Sequence, residues 1–252
     1  MIHIYTFLTD ETRIQYLKQS ANLNNVSINY IKNEKWNGYV DKILAIKNII
    51  KNIDDNDIVC FIDAYDVLVN NSYSDLLNKF NSYNCDILIG AELGCYPDSY
   101  KCDFPDTTTK YKYVNSGGYI GYKHAIQKIF EWKSLEEIYR ICSNGGDQTY
   151  FIEYYLNHKN NNVKLDDKCL IFQNMHLVNW NELNFNTGKM YNTILNIYPC
   201  FIHFNGGSWQ QDNRENIMPI FIEKMNSSFD KVVNLNDYNQ IITATCYPHS
   251  QI

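Results

Sequence analysis

The chain is poor in glycine and proline and has no excess of positive charge. Only 11 of its 252 residues are glycine and 5 are proline, which excludes a collagen-like or low-complexity chain. Its hydrophobic share of 45% is too high for a disordered chain. The formal net charge of −6 disfavours sequence-independent binding to nucleic acid, which requires a basic surface. We therefore expect a globular protein with no nucleic-acid partner, whose acidic balance suits the binding of a cation.

Long hydrophobic runs are also missing. The longest tight run is Ile58–Ile62, far below the roughly 18 residues that a membrane span needs. No basic and then apolar leader opens the chain, because residues 2–8 already have the pattern of a core strand. The sequence predicts no membrane span and no export signal, so a cytoplasmic location is the default expectation.

Two motifs that would indicate familiar chemistry are absent. The eight cysteines include no CxxC pair, which disfavours zinc ribbons and thioredoxin-like chemistry. Cys95 and Cys102 flank a polar loop and could pair, although reduced thiols are the default without a secretion signal. There is also no GxxxxGKS or GxxxxGKT sequence, so phosphate binding by a P-loop is excluded.

The sequence does contain an alternation of strand-like and helix-like periodicity. Strands are predicted at 2–8, 26–31, 57–62, 86–90 and 119–122, and helices at 11–21, 40–53, 72–83, 125–141, 147–156 and 218–225. Residues 92–111 are polar, which predicts a long loop of the kind that often binds ligands. This order favours an α/β fold with a parallel sheet between helices. We expect one domain over residues 1–252, with ligands at the carboxyl ends of its strands.

Two carboxylates follow the most apolar strand. Asp63 and Asp66 lie three positions apart where the chain leaves residues 57–62, so both can face one point. Carboxylate oxygens are ligands for Mg²⁺ or Mn²⁺, which would keep positions open for phosphate oxygens. Two turn-forming aspartates that cap the next element are the alternative, and spacing alone does not decide between the two.

Histidine and glycine residues occur at other strand ends. His203 follows the apolar run 200–202 and could supply a nitrogen ligand, although a lone histidine on such a strand is more often a core residue. Six of the eleven glycines form the pairs 117–118, 145–146 and 206–207, each in a predicted turn beside polar side chains. Ordinary tight turns explain any one pair, whereas all three together favour a close approach of backbone to a ligand.

Five motifs follow one another along the chain. They are Phe61-Ile62-Asp63-Ala64-Tyr65-Asp66-Val67, Val114-Asn115-Ser116-Gly117-Gly118-Tyr119-Ile120-Gly121, Asp147-Gln148, Leu165-Asp166 with Ile171-Phe172-Gln173-Asn174, and His203-Phe204-Asn205-Gly206. With these motifs, residues 2–206 resemble the glycosyltransferase domain of the procollagen lysine hydroxylase/glycosyltransferase family. The resemblance implies a GT-A-like fold, the nucleotide-diphospho-sugar transferase fold, with a mixed, mainly parallel sheet flanked by helices. Residues 207–252 would then form a C-terminal helix and tail, and the chain is too short for a hydroxylase module as well.

The resemblance also implies a set of site residues. It places Mn²⁺ on Asp63, Asp66 and His203. Three further residues, Asp147, Glu92 and Asn115, match positions near the donor sugar and the acceptor, and Asp147 is the first choice for a catalytic carboxylate ahead of Glu92. The residues implied for the nucleotide site include the uridine contact and the turn that faces the diphosphate; they are Thr9, Trp36, Lys42 and Tyr65, and Asn205 with Gly206 in the turn.

The activity implied is Mn²⁺-dependent, retaining transfer of glucose from UDP-glucose to galactosyl-hydroxylysine in collagen-like chains. One alternative is a UDP-galactose hydroxylysine transferase, and another is a non-catalytic sugar- or collagen-binding module on the same fold. Gly145 and Gly146 favour the latter, because they stand where the family has an acidic run, and Tyr96 stands where it has a tryptophan. The residues alone also leave open a metal-dependent phosphohydrolase. The sequence does not decide between a monomer and a homodimer.

Overall fold

A computed structural model of the chain describes residues 1–159, 161–206, 208–227 and 233–234. Gly207 of the third glycine pair and most of the predicted tail beyond Ser227 lie outside these described residues. The predicted helix at 218–225 lies inside them, as part of a longer helix. Within the same ranges, no helix combines the length and the apolar character that a membrane crossing needs.

The strands and helices alternate along the first two thirds of the chain. The strands in the described ranges are β1 (Ile2–Leu8), β2 (Asn29–Lys32), β3 (Ile58–Ile62), β4 (Val67–Val69), β5 (Ile87–Glu92), β6 (Tyr113–Tyr122), β7 (Val163–Asp166), β8 (Phe172–Asn174), β9 (Leu183–Asn186), β10 (Lys189–Asn192), β11 (Phe201–His203) and β12 (Val233–Asn234). The α-helices there are α1 (Gln15–Leu23), α2 (Val40–Ile49), α3 (Tyr73–Ser82), α4 (Lys123–Glu131), α5 (Leu135–His158) and α6 (Ser208–Asn226).

A six-stranded sheet forms the centre, in the order β2-β1-β3-β6-β5-β7. β1 pairs in parallel with β2 and β3, and β5 pairs in parallel with β7. β6 runs antiparallel to both of its neighbours, which corrects the all-parallel sheet favoured by the strand and helix order. The connection 93–112 contains no α-helix that could cross over the sheet, so β6 returns from the edge where β5 ends. The sheet is therefore mixed and mainly parallel, as the resemblance implies.

Two smaller sheets accompany the central one. One joins β4, β11 and β8, with β11 antiparallel to β4 and parallel to β8. The other has the order β10-β9-β12. The first of the two matters most for the site, because its register places His203 opposite Val67, directly after Asp66.

Apolar side chains cover both faces of the central sheet. In β3, Val59 and Phe61 face the layer that contains α2, α4 and α5, whereas Cys60 and Ile62 face the layer that contains α1 and α3. All five residues of β3 are buried, as expected for a strand with helices on both sides. The strand therefore delivers the polar residues that follow it directly to the carboxyl edge of the sheet.

One predicted helix is two helices in the structure. The expected helix at 125–141 is interrupted because Ser134 caps the start of α5. The Glu137 N–H donates to Ser134 Oγ at 3.3 Å, and the Ser134 N–H donates to Glu137 Oε2 at 3.0 Å. This reciprocal capping box is a strong local signal for a helix start.

The glycine pairs have different environments. Gly117 and Gly118 lie inside β6, which corrects the turn expected at that position. Gly145 and Gly146 interrupt α5 just before Asp147, and Gly146 has φ +71, in the left-handed region that favours glycine. The predicted break before a helix at 147 is therefore confirmed.

The cysteine pair left open by the sequence is not bonded. Cys95 is a buried free thiol and Cys102 is an exposed one. The Cys95 Sγ lies 3.3 Å from the carbonyl oxygen of Pro97, to which it donates.

Candidate active site

The two aspartates of the first motif lie at the carboxyl edge of the sheet. Asp63 follows β3 directly, and its N–H donates to the carbonyl oxygen of Gly117 in β6 at 2.9 Å. Asp66 precedes β4, and its carbonyl oxygen accepts from the N–H of Phe204 at 2.8 Å. Both backbone positions are thus tied to neighbouring strands, which keeps the two side chains on one side of the turn.

His203 completes a cluster with these aspartates. Its Nε2 lies 3.7 Å from Asp63 Oδ2 and 3.5 Å from Asp66 Oδ2. One potential ligand atom from each of the three residues lies within 4.8 Å of the others. Asp66 and His203 are buried, while the Asp63 side chain is 25% exposed, so the cluster opens to solvent on the Asp63 side.

A neighbouring amide determines which nitrogen of His203 faces the carboxylates. Asn174 Nδ2 donates to the carbonyl oxygen of Ala91 at 2.9 Å, which leaves its Oδ1 to accept from His203 Nδ1 at 2.8 Å. Nδ1 therefore carries a proton, which leaves Nε2 facing the two carboxylates, where its lone pair would be available to a cation. Two carboxylate oxygens and one imidazole lone pair aimed at each other fit a divalent cation, which would replace their mutual repulsion by attraction.

Gly117 makes this cluster sterically possible. A Cβ atom at this position would lie 2.2 Å from His203 Cε1 and 2.7 Å from Asp63 Oδ2. Both distances are far below a normal contact, and the obstructing atoms belong to the cluster itself. The sequence interpretation was that this glycine lets backbone approach a ligand, whereas the structure uses it to admit the candidate ligand side chains.

Lys42 connects the cluster to Asp147. Its Nζ lies 2.8 Å from Asp63 Oδ1 and 2.7 Å from Asp147 Oδ2, and its side chain is only 12% exposed. Burial by itself would lower the pKa of Lys42, but the negative charges of Asp147 and Asp63 outweigh it and hold that pKa above its ordinary value. Lys42 was expected at the nucleotide, and the structure places its ammonium between two carboxylates.

Asp147 itself is buried at the point where α5 is interrupted. Burial raises the pKa of this carboxyl, and Lys42 limits the rise. Gly145 is required just before it, because a Cβ there would lie 2.0 Å from Thr149 Oγ1, which donates to the Gly145 carbonyl oxygen. The glycines therefore direct the start of the second half of α5, with Asp147, toward Lys42.

Glu92, at the end of β5, is the centre of a buried amide cluster. Its Oε1 accepts from Asn115 Nδ2 at 3.0 Å and from Gln148 Nε2 at 2.9 Å, and its Oε2 accepts from Asn205 Nδ2 at 2.8 Å. Burial raises the pKa of Glu92, while the amides of Asn115 and Gln148 oppose the rise. Three of the predicted site residues therefore contact one another, and Gln148, quoted only as half of a motif, was missed as a site residue.

Tyr65 and Thr9 meet at the carboxyl end of β1. The Tyr65 hydroxyl oxygen accepts from the N–H of Thr9 at 2.7 Å and from that of Asp10 at 2.9 Å. The guanidinium of Arg13 lies 4.6 Å from the centre of the Tyr65 ring. The sequence indicated Thr9 and Tyr65 but not Arg13, whose contact depends on the short turn 11–13 that follows β1.

The remaining predicted positions lie at the surface around these groups. Trp36 is 48% exposed and meets the ring of Tyr39 edge to face at 5.4 Å. Tyr39, which the sequence analysis missed, is 52% exposed and lies 5.9 Å from Lys42 Nζ. Gly206 is exposed and has φ +135, in the left-handed region that favours glycine, while the second glycine of the expected turn lies outside the described residues. An aromatic pair thus borders the lysine that joins the two carboxylates.

Comparison with known proteins identifies the family. A family model described as the PLOD GT domain matches residues 2–226. The chain belongs to the PLOD GT domain family. The resemblance inferred from the five motifs is thereby confirmed, and the chain is a glycosyltransferase domain of that family.

Relatives of this PLOD GT domain include much longer proteins. It is 31% identical over 227 residues to the multifunctional procollagen lysine hydroxylase and glycosyltransferase of Caenorhabditis elegans, covering 81% of this chain and 30% of that protein. It is 29% identical over 189 residues to uncharacterized protein R699 of Acanthamoeba polyphaga mimivirus, covering 69% of this chain and 38% of that protein. The chain therefore spans about a third of the length of these curated relatives.

The fold of the PLOD GT domain also matches a solved glycosyltransferase. The structure of a glycosyltransferase involved in the glycosylation of the major capsid of PBCV-1 superposes with a TM-score of 0.51, covering 86% of this chain and 98% of that one. The identity is only 12%, so the similarity concerns the fold alone. The expected GT-A-like fold is confirmed.

Proposed function

We propose that this PLOD GT domain is, as a single domain, a Mn²⁺-dependent retaining transferase that moves glucose from UDP-glucose to galactosyl-hydroxylysine in collagen-like chains. The observation that carries the proposal is the convergence of Asp63, Asp66 and His203 beside the Lys42–Asp147 pair. These groups lie at the carboxyl edge of a GT-A sheet, where α/β folds bind their ligands. The name of the Caenorhabditis elegans relative, which joins lysine hydroxylation and glycosyl transfer on procollagen, supports the acceptor class.

Asp63, Asp66 and His203 would hold the cation in this proposal. A bound Mn²⁺ supplies positive charge where the diphosphate leaving group becomes more negative. The chain itself supplies the orientation: Asn174 keeps the His203 lone pair directed at the two aspartates, and Gly117 keeps the space open. Asn205 and Gly206, which follow His203 in the chain, would face the diphosphate.

The uridine side of the donor would lie at the end of β1. The Tyr65 ring is held there by the backbone of Thr9 and Asp10, so it can be contacted by a base without having to be ordered first. Trp36 offers a further exposed ring near Lys42. A planar base is recognised by such aromatic surfaces because both partners bury apolar faces.

The donor sugar would lie near Asp147. The transfer breaks the bond between the anomeric carbon and the β-phosphate oxygen, and it leaves positive character on the sugar ring. The Asp147 carboxylate, buried beside Lys42, is placed to stabilise that charge. A new bond forms between the acceptor oxygen and the anomeric carbon, and the hydroxyl proton would pass to the departing β-phosphate oxygen of UDP. Retention requires that the acceptor oxygen ends on the face of the sugar from which UDP departs.

The acceptor would lie along the connection 93–112. Tyr96 in this connection is 68% exposed, and Leu177, opposite Gly94, is 60% exposed. Exposed rings and apolar side chains suit the faces of a sugar or of proline in an extended collagen-like strand. Tyr96 takes the place of the tryptophan expected from the family, so this proposal expects the acceptor contact at this position to differ from that of the family.

A panel of UDP-sugars tests the proposal. Each sugar nucleotide is incubated with the protein and Mn²⁺, with and without a galactosyl-hydroxylysine peptide, and both UDP and glycosylated peptide are measured. We expect disaccharide formation from UDP-glucose that depends on the peptide and stops with a chelator. Transfer of galactose to hydroxylysine would show that the proposed donor and acceptor are wrong. An absence of transfer from every donor would overturn the proposed transferase activity.

A further inference from the structure

Glu92 has the features of a structural carboxylate more than those of a reacting one. It is only 5% exposed, and its two oxygens together accept three hydrogen bonds from side-chain amides, those of Asn115, Gln148 and Asn205. Three of its roughly four acceptor positions are used in this way, and its burial limits access by a substrate. Two of the amide residues stand close in sequence to the candidate site: Gln148 follows Asp147, and Asn205 lies two residues after His203.

Each amide is also bound at its other end. Asn115 Oδ1 accepts from the Gly117 N–H at 3.0 Å, and Gln148 Oε1 accepts from the Ser116 N–H at 2.8 Å. Asn205 Oδ1 accepts from the N–H of Met175 at 2.9 Å and from that of His176 at 3.1 Å. With carbonyl oxygens on backbone donors and NH₂ groups on Glu92, none of the three amides can flip without losing bonds at both ends.

The segments held in this way are those that carry the site. Asn115 fixes the backbone at Gly117, whose carbonyl oxygen accepts from Asp63 and whose missing side chain admits His203. Gln148 follows Asp147 directly. Asn205 fixes the backbone beside Asn174, which orients the imidazole of His203.

We propose that Glu92 is a positioning residue whose negative charge orients three amides and thereby sets the distance between the metal ligands and Asp147. It touches neither donor nor acceptor. A carboxylate is needed because both oxygens must accept, whereas a glutamine would turn its own NH₂ group toward the NH₂ of Asn205 or of Asn115 and Gln148. This assignment departs from the catalytic role expected from the sequence and deepens the proposed function of the same site.

Three variants test the proposal: the single variants E92Q and N205D, and the double variant that combines them. E92Q places an amide against an amide, and N205D places a carboxylate against a carboxylate. The double variant E92Q/N205D restores one acceptor opposite one donor: the amide introduced by E92Q would donate to the carboxylate introduced by N205D, whose other oxygen would still accept from Met175 and His176. We expect each single variant to bind Mn²⁺ roughly 10- to 100-fold more weakly, as is typical when a partner behind the ligands is changed, and the double variant to recover most of the affinity and of the turnover.

The readouts separate this inference from the proposed activity. Mn²⁺ affinity is measured by calorimetry without any sugar nucleotide, so the cycle remains decisive even if transfer from UDP-glucose fails. An E92Q variant with unchanged Mn²⁺ affinity would overturn the positioning role, as would a double variant that recovers metal affinity but not turnover, since the carboxylate would then be reacting. Where E92Q fails to fold, thermal unfolding of the double variant decides: recovery of folding and Mn²⁺ binding supports the proposal, and failure of either contradicts it.

Discussion

The amino and carboxyl edges of the central sheet differ in how their charged side chains are paired. At the amino edge, each of two carboxylates has nitrogen partners at hydrogen-bond distance: Lys123 Nζ lies 2.7 Å from Asp55 Oδ1, and Asp57 pairs with both His3 Nε2 and the amino group of Met1. At the carboxyl edge, Lys42 is shared by two carboxylates, and His203 faces two carboxylates with a lone pair. At the amino edge, both of these carboxylates have a nitrogen donor of their own. At the carboxyl edge, the carboxylate oxygens outnumber the donors that face them.

The difference amounts to a surplus of negative charge at one edge. At the candidate site, Asp63, Asp66, Asp147 and Glu92 contribute four carboxyl groups, and the ammonium of Lys42 is shared by Asp63 and Asp147, so the carboxyl groups outnumber the ammonium that pairs with them. A surplus of this kind is costly when it is buried, so it persists where a cation binds or where hydrogen bonds compensate it. The amides around Glu92 compensate its charge with hydrogen bonds. The carboxylates of Asp63 and Asp66 would be compensated by a bound cation.

Removing one candidate ligand has the largest expected effect on this contrast. We expect Asp66→Ala to abolish Mn²⁺-dependent binding of UDP in calorimetry, because two side chains cannot hold the cation against water. Asp54→Asn, an exposed carboxylate ahead of β3 at the amino edge, is the matched control and should bind as the unchanged protein does. Equal UDP affinity in the two variants would contradict a cation site at the carboxyl edge.

Asp147→Asn separates chemistry from binding. The substitution keeps the shape of the side chain but removes the charge that stabilises the sugar, so turnover should fall roughly 10²- to 10³-fold. Binding of UDP with Mn²⁺ should change by no more than a few fold, because Asp147 is not among the three candidate ligands. The check is steady-state kinetics beside calorimetry on the same preparation, and near-normal turnover would contradict the role of Asp147.

Two lysines with little side-chain exposure, Lys42 and Lys123, provide a matched pair for stability. Lys42→Met leaves two mostly buried carboxylates without their cation, which we expect to lower the free energy of unfolding by about 3 kcal/mol. Lys123→Met should cost about 1 kcal/mol or less, because its partner Asp55 is 70% exposed and keeps its water. Denaturant unfolding measures both values. Mn²⁺ should restore part of the loss in the first variant and none in the second, and the opposite order of costs would contradict the comparison.

The smallest effect is expected from charges exposed at the carboxyl edge. Hydrogen bonds from Lys18 and Lys32 lower the pKa of Glu11 from its ordinary 4.5 to about 2. Because the folded-state pKa is depressed, the stabilisation is present above the ordinary pKa and is lost as pH falls through about 2. Glu11→Gln should therefore reduce stability slightly at pH 7 and not at all near pH 2. Urea unfolding at the two pH values and at two salt concentrations measures this, and a pH-independent difference would assign the effect to packing.

The parts of the site that the sequence predicts correctly are those that depend on residues close together along the chain. The apolar run of β3 ends at Ile62, and the rule for strand ends then places Asp63 and Asp66 at a ligand-binding edge. The capping box at Ser134 and Glu137 is equally local, so the break between α4 and α5 could have been predicted from the same reading. The end of β3 and the break before Asp147 were predicted correctly for this reason, and the start of β3 lies one residue after the predicted one.

Other features depend on contacts between distant segments. The partnership of His203 with Asp66 arises from the antiparallel register of β11 and β4, which no periodicity reveals. Gly117 was assigned to a turn, because a glycine pair favours one, and only the side chains that pack against it explain a glycine within a strand. Lys42 lies on a helix whose neighbours the sequence does not specify, so its choice of Asp63 and Asp147 could not be foreseen.

The two carboxylate oxygens of Asp63 have different neighbours, which affects how a substitution of Asp63 is interpreted. Oδ1 accepts from Lys42, while Oδ2 lies on the His203 side. Any substitution of Asp63 therefore disturbs two functions at once: it removes a candidate ligand, and it releases the ammonium to associate more closely with Asp147. Loss of activity in an Asp63 variant would therefore report both events together.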